Sequence, residues 1–186
     1  MNAPSLGYTD NYSKRNLWEE IAGFYKGEFN IKFNSGHELE IHNTIIPYKK
    51  WKLYISVSDT RPLKIRIPFI SNQDFELIVS WEDFIEKIIK YFRNRDMKTG
   101  WSEFDNRYLI KSSNNALSRK ILNIDVQKAI LKHNIYSLAY QTNKKTSKSE
   151  LLCVISRRVG DLESIKEIID LHLLLIDIFE DQRIIK

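Results

Sequence analysis

A single cysteine, Cys153, stands among the 186 residues. That excludes an intramolecular disulfide and any metal centre built from several thiolates. Cys153 lies in Leu151-Leu152-Cys153-Val154-Ile155, an apolar run of the kind found in strands buried on both faces, where a thiol behaves as a small hydrophobe. The 6 glycines are scattered and build no phosphate-cradling loop, and neither a G-x-S-x-G elbow nor an H-E-x-x-H pair is present. These absences weaken an enzymatic reading without closing it, since catalytic groups can converge from distant segments. No cofactor is expected. No uncharged run approaches a membrane span, and residues 1–12 lack the apolar core of a signal peptide, so no transmembrane segment and a cytoplasmic location are expected.

Charge is present in both signs and favours neither strongly. Lys and Arg total 29 against 24 Asp and Glu, a net charge of +5 with pI near 9.1. The excess permits long-range attraction to anions, but the basic doublets Lys49-Lys50, Lys144-Lys145 and Arg157-Arg158 are dispersed rather than gathered into a tail. With 42% hydrophobic and 28% charged residues, the composition is that of a globular domain and not of a disordered chain.

Alternation of apolar and polar residues marks half-buried strands at Phe29–Phe33, Leu39–Ile41, Trp51–Val57, Leu63–Phe69 and Phe75–Val79. Short turns between them predict a meander of successive antiparallel neighbours. Pro47 predicts a loop, and Pro68, which cannot donate to a ladder, predicts an edge or a strand end. Tyr136, Leu138 and Tyr140 form a hairpin with Leu151–Ile155. Helical spacing places Leu17, Trp18, Ile21, Ala22 and Tyr25 on one helix capped by Ser13, after a flexible arm at residues 1–12. A strongly amphipathic helix is expected over 81–93, opened by Ser80 and Asp83, and short helices near 116–122 and 125–133, the latter ended by Asn134. A long C-terminal helix starts at the N-cap Asp161. The fold class is therefore α+β, an antiparallel sheet of about five to eight strands covered by amphipathic helices. Residues 13–186 form a single domain, with a subdomain boundary near 94–101 where a polar segment meets Gly100.

Between the sheet-rich and helix-rich halves runs Phe104-Asp105, two spacers, then Tyr108-x-Ile110-x-Ser112-x-Asn114, followed by Ile121-Leu122. This pattern resembles a motif of a group of uncharacterised bacterial domains, and Ile67-Pro68-Phe69 followed by Phe75 is similar to the same group. The resemblance implies an α+β domain from near Trp51 onward, and it supplies no catalytic residue. Within the motif, Asp105 beside Arg107 invites a reading as a carboxylate oriented by a guanidinium, although aspartate there more often bonds the amides of a turn.

The 4 histidines do not converge. His37 and His42 point to opposite faces of a strand, His133 ends a helix and His172 falls on the apolar arc of the last helix, so no metal is expected. Lys52, Tyr54, Lys64 and Arg66 share one sheet face if the strands pair as a meander, the arrangement that stacks single-stranded bases, or simply a wet face. The C-terminal helix carries apolar residues over an arc of roughly 220° at 100° per residue, more than one sheet covers. Leu173 and Leu174 on its flank therefore predict a homodimer, unless residues 114–135 of the same chain cover that flank. The leading expectation is a non-enzymatic binding or adaptor protein acting on another protein. Nucleic-acid or anionic-surface binding through the basic face is one alternative, and an enzyme with a site around Asp105 is the other.

Overall fold

In the computed structural model, which describes residues 6–34, 37–81, 95–155 and 161–186, the alternating segments form one antiparallel sheet of nine strands. The order along the chain is α1 (Leu6–Phe24), β1 (Glu28–Asn34), β2 (His37–Tyr48), β3 (Trp51–Ser58), β4 (Arg61–Ile70), β5 (Leu77–Ser80), β6 (Arg95–Met97), α2 (Ser102–Arg107), β7 (Leu109–Ser112), α3 (Asn115–Ile121), α4 (Ile124–Lys132), β8 (Ile135–Thr142), β9 (Lys148–Ile155) and α5 (Leu162–Asp181). The class is α+β, as the pattern predicts. The helix expected over 81–93 lies outside the described residues.

The meander holds for four strands and then breaks. Across the sheet the order is β1-β2-β3-β4-β9-β8-β5-β7-β6, so β5 does not follow β4 and the β8–β9 hairpin fills the gap between them. The run Leu151–Ile155 of β9 buries Leu151, Cys153, Val154 and Ile155, which suits the interior of a sheet, where the side chains of neighbouring strands help to shield both faces. Leu77, Ile78 and Val79 of β5 are likewise all buried, which suits an interior strand between β8 and β7. Residues on both sides of 94–101 thus share one sheet, and residues 101–155 extend it rather than forming a second lobe.

Further expectations are corrected. Helix α1 begins at Leu6, so residues 6–12 are helical and Ser13 lies inside the helix rather than at its cap. A helix anchored by buried Trp18, Ile21 and Ala22 extends upstream easily, because each added residue gains a hydrogen bond once the nucleus exists. Pro47 lies within β2, and Pro68 lies in an interior strand opposite Glu150 of β9. The proline acts on the other side of β4: the β3–β4 register runs no further than Tyr54↔Arg66, whereas β4 stays paired with β9 to Ile70↔Lys148.

The described helices lie against one face. Ile46, Leu53, Ile55, Ile65, Ile67, Phe69, Tyr140, Leu151 and Cys153 project into the core there and are buried. Helix α5 buries Ile165, Ile168, Ile169, Leu171, Leu175, Ile176 and Phe179, and it touches α1 on one flank and α3 and α4 on the other.

One glycine is fixed by this packing. Helix α1 ends in a Schellman motif, in which Gly27 N–H donates to Ala22 O at 2.7 Å and Lys26 N–H to Gly23 O at 3.2 Å. Lys26, at φ 53°, holds the left-handed position usually given to glycine. Gly27 is instead required for space, since a Cβ there would lie 2.3 Å from the Ile45 carbonyl oxygen of β2. Backbone cannot yield as a flexible side chain can. Gly27→Ala is expected to destabilise by about 1–3 kcal/mol, as overpacking does. A denaturant midpoint unchanged from the parent chain would contradict this.

Candidate functional site

The face of the sheet turned away from the described helices carries a groove of about 1160 Å³. Its walls come from four neighbouring strands: Lys52 and Tyr54 of β3, Pro68 and Ile70 of β4, Lys148 and Glu150 of β9, and Gln141 of β8. Register sets the pattern, with Ile70 opposite Lys148, Pro68 opposite Glu150, and Glu150 opposite Gln141. Ile70 is 44% exposed, an aliphatic side chain on a strand face whose other members include Lys64 and Arg66. Lys50 closes one end, and Glu76 and Asn143 the other.

Both ends are held rigidly from the helix side. At the β2–β3 hairpin, Tyr48 Oη lies 3.0 Å from both Asp177 carboxylate oxygens, and Lys49 Nζ lies 2.7 Å from Asp177 and 2.7 Å from Glu180. Trp51 Nε1 donates to Glu180 at 3.3 Å, and Lys50 sits 3.5 Å from the same carboxylate. The Lys49 bond, more than any other, draws the Glu180 carboxyl below its usual range. At the far end the hydroxyl of Tyr140 lies 3.1 Å from that of Ser71 and 3.0 Å from that of Ser149. The C-terminal residues bind the chain just after β4, through Asn72 N–H to Ile184 O at 2.8 Å and Lys186 N–H to Ile70 O at 3.0 Å. The groove is thus pre-formed between two clamped strand ends.

Of the basic residues read from the sequence, Lys52 and Tyr54 line the groove. Arg66 stands beside it, its guanidinium 5.5 Å from the Tyr54 ring centroid and 3.6 Å from Glu150. Lys64 shares the face opposite Ser56 but lies outside the lining. Pro68, Ile70, Lys148, Glu150 and Gln141 complete the groove, and the sequence marks none of them as a site residue. The one signal was Ile70 on the polar side of its strand.

The Phe104 motif lies elsewhere, and every residue in it supports the fold. Phe104 is fully buried and stacks on Tyr108 with ring centroids 4.9 Å apart. Asp105 accepts from Thr99 N–H at 2.8 Å, Gly100 N–H at 2.9 Å and Thr99 Oγ1–H at 3.0 Å. Burial works to raise its carboxyl, but these bonds outweigh that and hold it below the usual carboxylate range. Arg107 does not pair with it; the guanidinium donates to Asn134 Oδ1 and lies 5.2 Å from the Trp81 ring centroid. Tyr108 Oη lies 2.9 Å from Ile135 O, Ser112 Oγ 2.6 Å from Ser118 Oγ, and Asn114 caps α3 by accepting from Leu117 N–H at 3.1 Å. The carboxylate of Asp105 is spent on turn amides.

The histidines also stay apart. His42 Nε2 lies 3.2 Å from Glu40, and His133 Nε2 lies 3.1 Å from Glu167. His172 is fully buried with Nδ1 2.6 Å from Ile168 O. Among the described residues no group of three His, Cys, Asp or Glu side chains could hold a metal ion. Burial pushes the Cys153 thiol up, away from the reactive thiolate.

Leu173 and Leu174 separate from each other. Leu173 packs against the core, whereas Leu174 is 39% exposed. The wide apolar arc of α5 is covered within the chain, by α1, α3 and α4. Leu174→Glu is therefore expected to change stability by no more than about 0.5 kcal/mol, and Leu173→Glu to cost about 1–3 kcal/mol. Urea unfolding of the two variants checks this, and equal costs would contradict it.

No protein-family model matches the chain, and no curated protein does. Among solved structures, the mycobacterial trehalose monomycolate transport factor A, TtfA, superposes with a TM-score of 0.53 over 89% of this chain and 92% of its own, at 8% identity. The fold is similar to that of TtfA. At that identity the likeness to TtfA is one of fold alone. Among the described residues no helix is long and apolar enough to cross a membrane.

Proposed function

We propose that this chain is a non-enzymatic binding protein whose ligand is another protein, held in the groove between Lys52, Ile70 and Lys148. The groove carries the reading. It is concave, pre-formed by clamped strand ends, lined by apolar surface with a few convergent polar groups, and set on rigid strands rather than loops. The side chains first suspected of chemistry point the same way, because Asp105 and Arg107 are engaged in holding the fold. The likeness to TtfA, whose name is that of a transport factor, fits an accessory role of this kind.

Affinity capture with the tagged full chain from the cells that make it tests the reading. Wild type is expected to retain a stoichiometric protein that the Tyr54→Ala, Ile70→Asp double variant loses. Retention of the same protein by both chains, or no stoichiometric partner together with measurable turnover of a metabolite, would overturn it.

A further inference from the structure

The chemistry of the groove narrows the class of partner, and this step rests on the reading just given. The floor is apolar, formed by Tyr54, Pro68 and the 44% exposed Ile70. The rim carries separated cations: Lys52 and Lys148 make no ion pair among the described residues, while Arg66 beside the groove lies 3.6 Å from Glu150. Separated cations around an apolar floor complement an extended chain, whose alternate side chains leave one face about 7 Å apart and can set an apolar group between two carboxylates.

Two observations set a polynucleotide aside. Base stacking needs an open aromatic face, and the Tyr54 ring already carries the Arg66 guanidinium 5.5 Å from its centroid. Glu150 and Glu76 moreover line the same groove, where a phosphate at every step meets like charge. A peptide can carry fewer charges, set apart, and so need not bring one against either carboxylate.

We infer that the groove takes an extended acidic segment of a partner protein, seating an aliphatic or aromatic side chain on Pro68 and Ile70 while its carboxylates meet Lys52 and Lys148. The protein chemistry of that partner is thereby specified: carboxylates on either side of a bulky apolar residue, in strand conformation.

Fluorescence anisotropy on the full chain tests this with three labelled probes: a short synthetic peptide of glutamates flanking a central Leu-Phe pair, its lysine-for-glutamate counterpart, and oligo(dT). The glutamate peptide is expected to bind, and Lys52→Glu with Lys148→Glu to weaken it about tenfold or more, with thermal unfolding unchanged. Lys52→Gln with Lys148→Gln, expected to weaken it in the same direction, replaces the charge reversal should that pair disturb β3 or β9. Equal or tighter binding of the lysine peptide overturns the inference, as does binding of oligo(dT) alone. If no probe binds while capture of the cellular partner still depends on Tyr54 and Ile70, the acidic-segment inference falls and the binding groove stands. If capture is indifferent to the groove, the functional reading itself falls.

Discussion

Replacing Phe104 with alanine is expected to lower stability by about 3–5 kcal/mol, the range for deleting a fully buried phenylalanine ring. Phe104 has 0% of its surface exposed. Its ring stacks on Tyr108 at 4.9 Å and an interplanar angle of 26°, with Trp101 at 6.4 Å on the same stack. Tyr108 in turn ties α2 to the start of β8 through the bond from Oη to Ile135 O at 2.9 Å. Removing the Phe104 ring therefore leaves a cavity and unseats the tyrosine that joins two distant segments of the sheet. The cost should appear as a lower urea midpoint with an unchanged slope. A loss below about 1 kcal/mol would mean that the motif is not the structural joint described here.

Acid is expected to weaken the fold through His172. Burial drives its pKa down from 6.5 to about 4, with the bond to Ile168 O opposing weakly. The unfolded chain thus binds a proton below pH 6.5 that the folded chain refuses, so the stabilisation is full above pH 6.5 and is lost as pH falls toward 4. Integrated over that interval, the linkage amounts to about 3 kcal/mol. His133 adds in the same direction, since burial, its largest influence, also lowers it. Carboxylates held below their usual range, among them Glu40 through Arg15 and Glu180 through Lys49, contribute at lower pH. His172→Gln removes the titrating group while keeping a donor for Ile168 O. Urea unfolding from pH 7.5 to 4.5 should show a flatter profile for the variant than for the parent, and parallel profiles would exclude His172 as the source.

Strand positions were legible wherever one face is wet, because alternation over Trp51–Val57 and Leu63–Phe69 reports burial directly. Strand order was not. The place of β9 beside β4 is a non-local pairing, and no local pattern carries it. The same insertion explains why half of the groove was missed: Lys52 and Tyr54 sit on one meander strand, while Lys148, Glu150 and Gln141 arrive from a hairpin distant in the chain. Pro68 pointed to an edge or a strand end, whereas it lies in an interior strand and pairing stops short of it only on the β3 side. Helix α2 was hidden because its residues Ser102–Arg107 are too few to show helical periodicity, and Asp105 beside Arg107 invited a catalytic reading before their partners were known.

Hydrogen–deuterium exchange of the full chain, alone and with its captured protein partner, tests the central claim most directly. Binding in the groove predicts protection over residues 51–54, 66–70 and 141–150, with 103–114 unchanged. Protection confined to 103–114, or to α5 around Leu174, would contradict it.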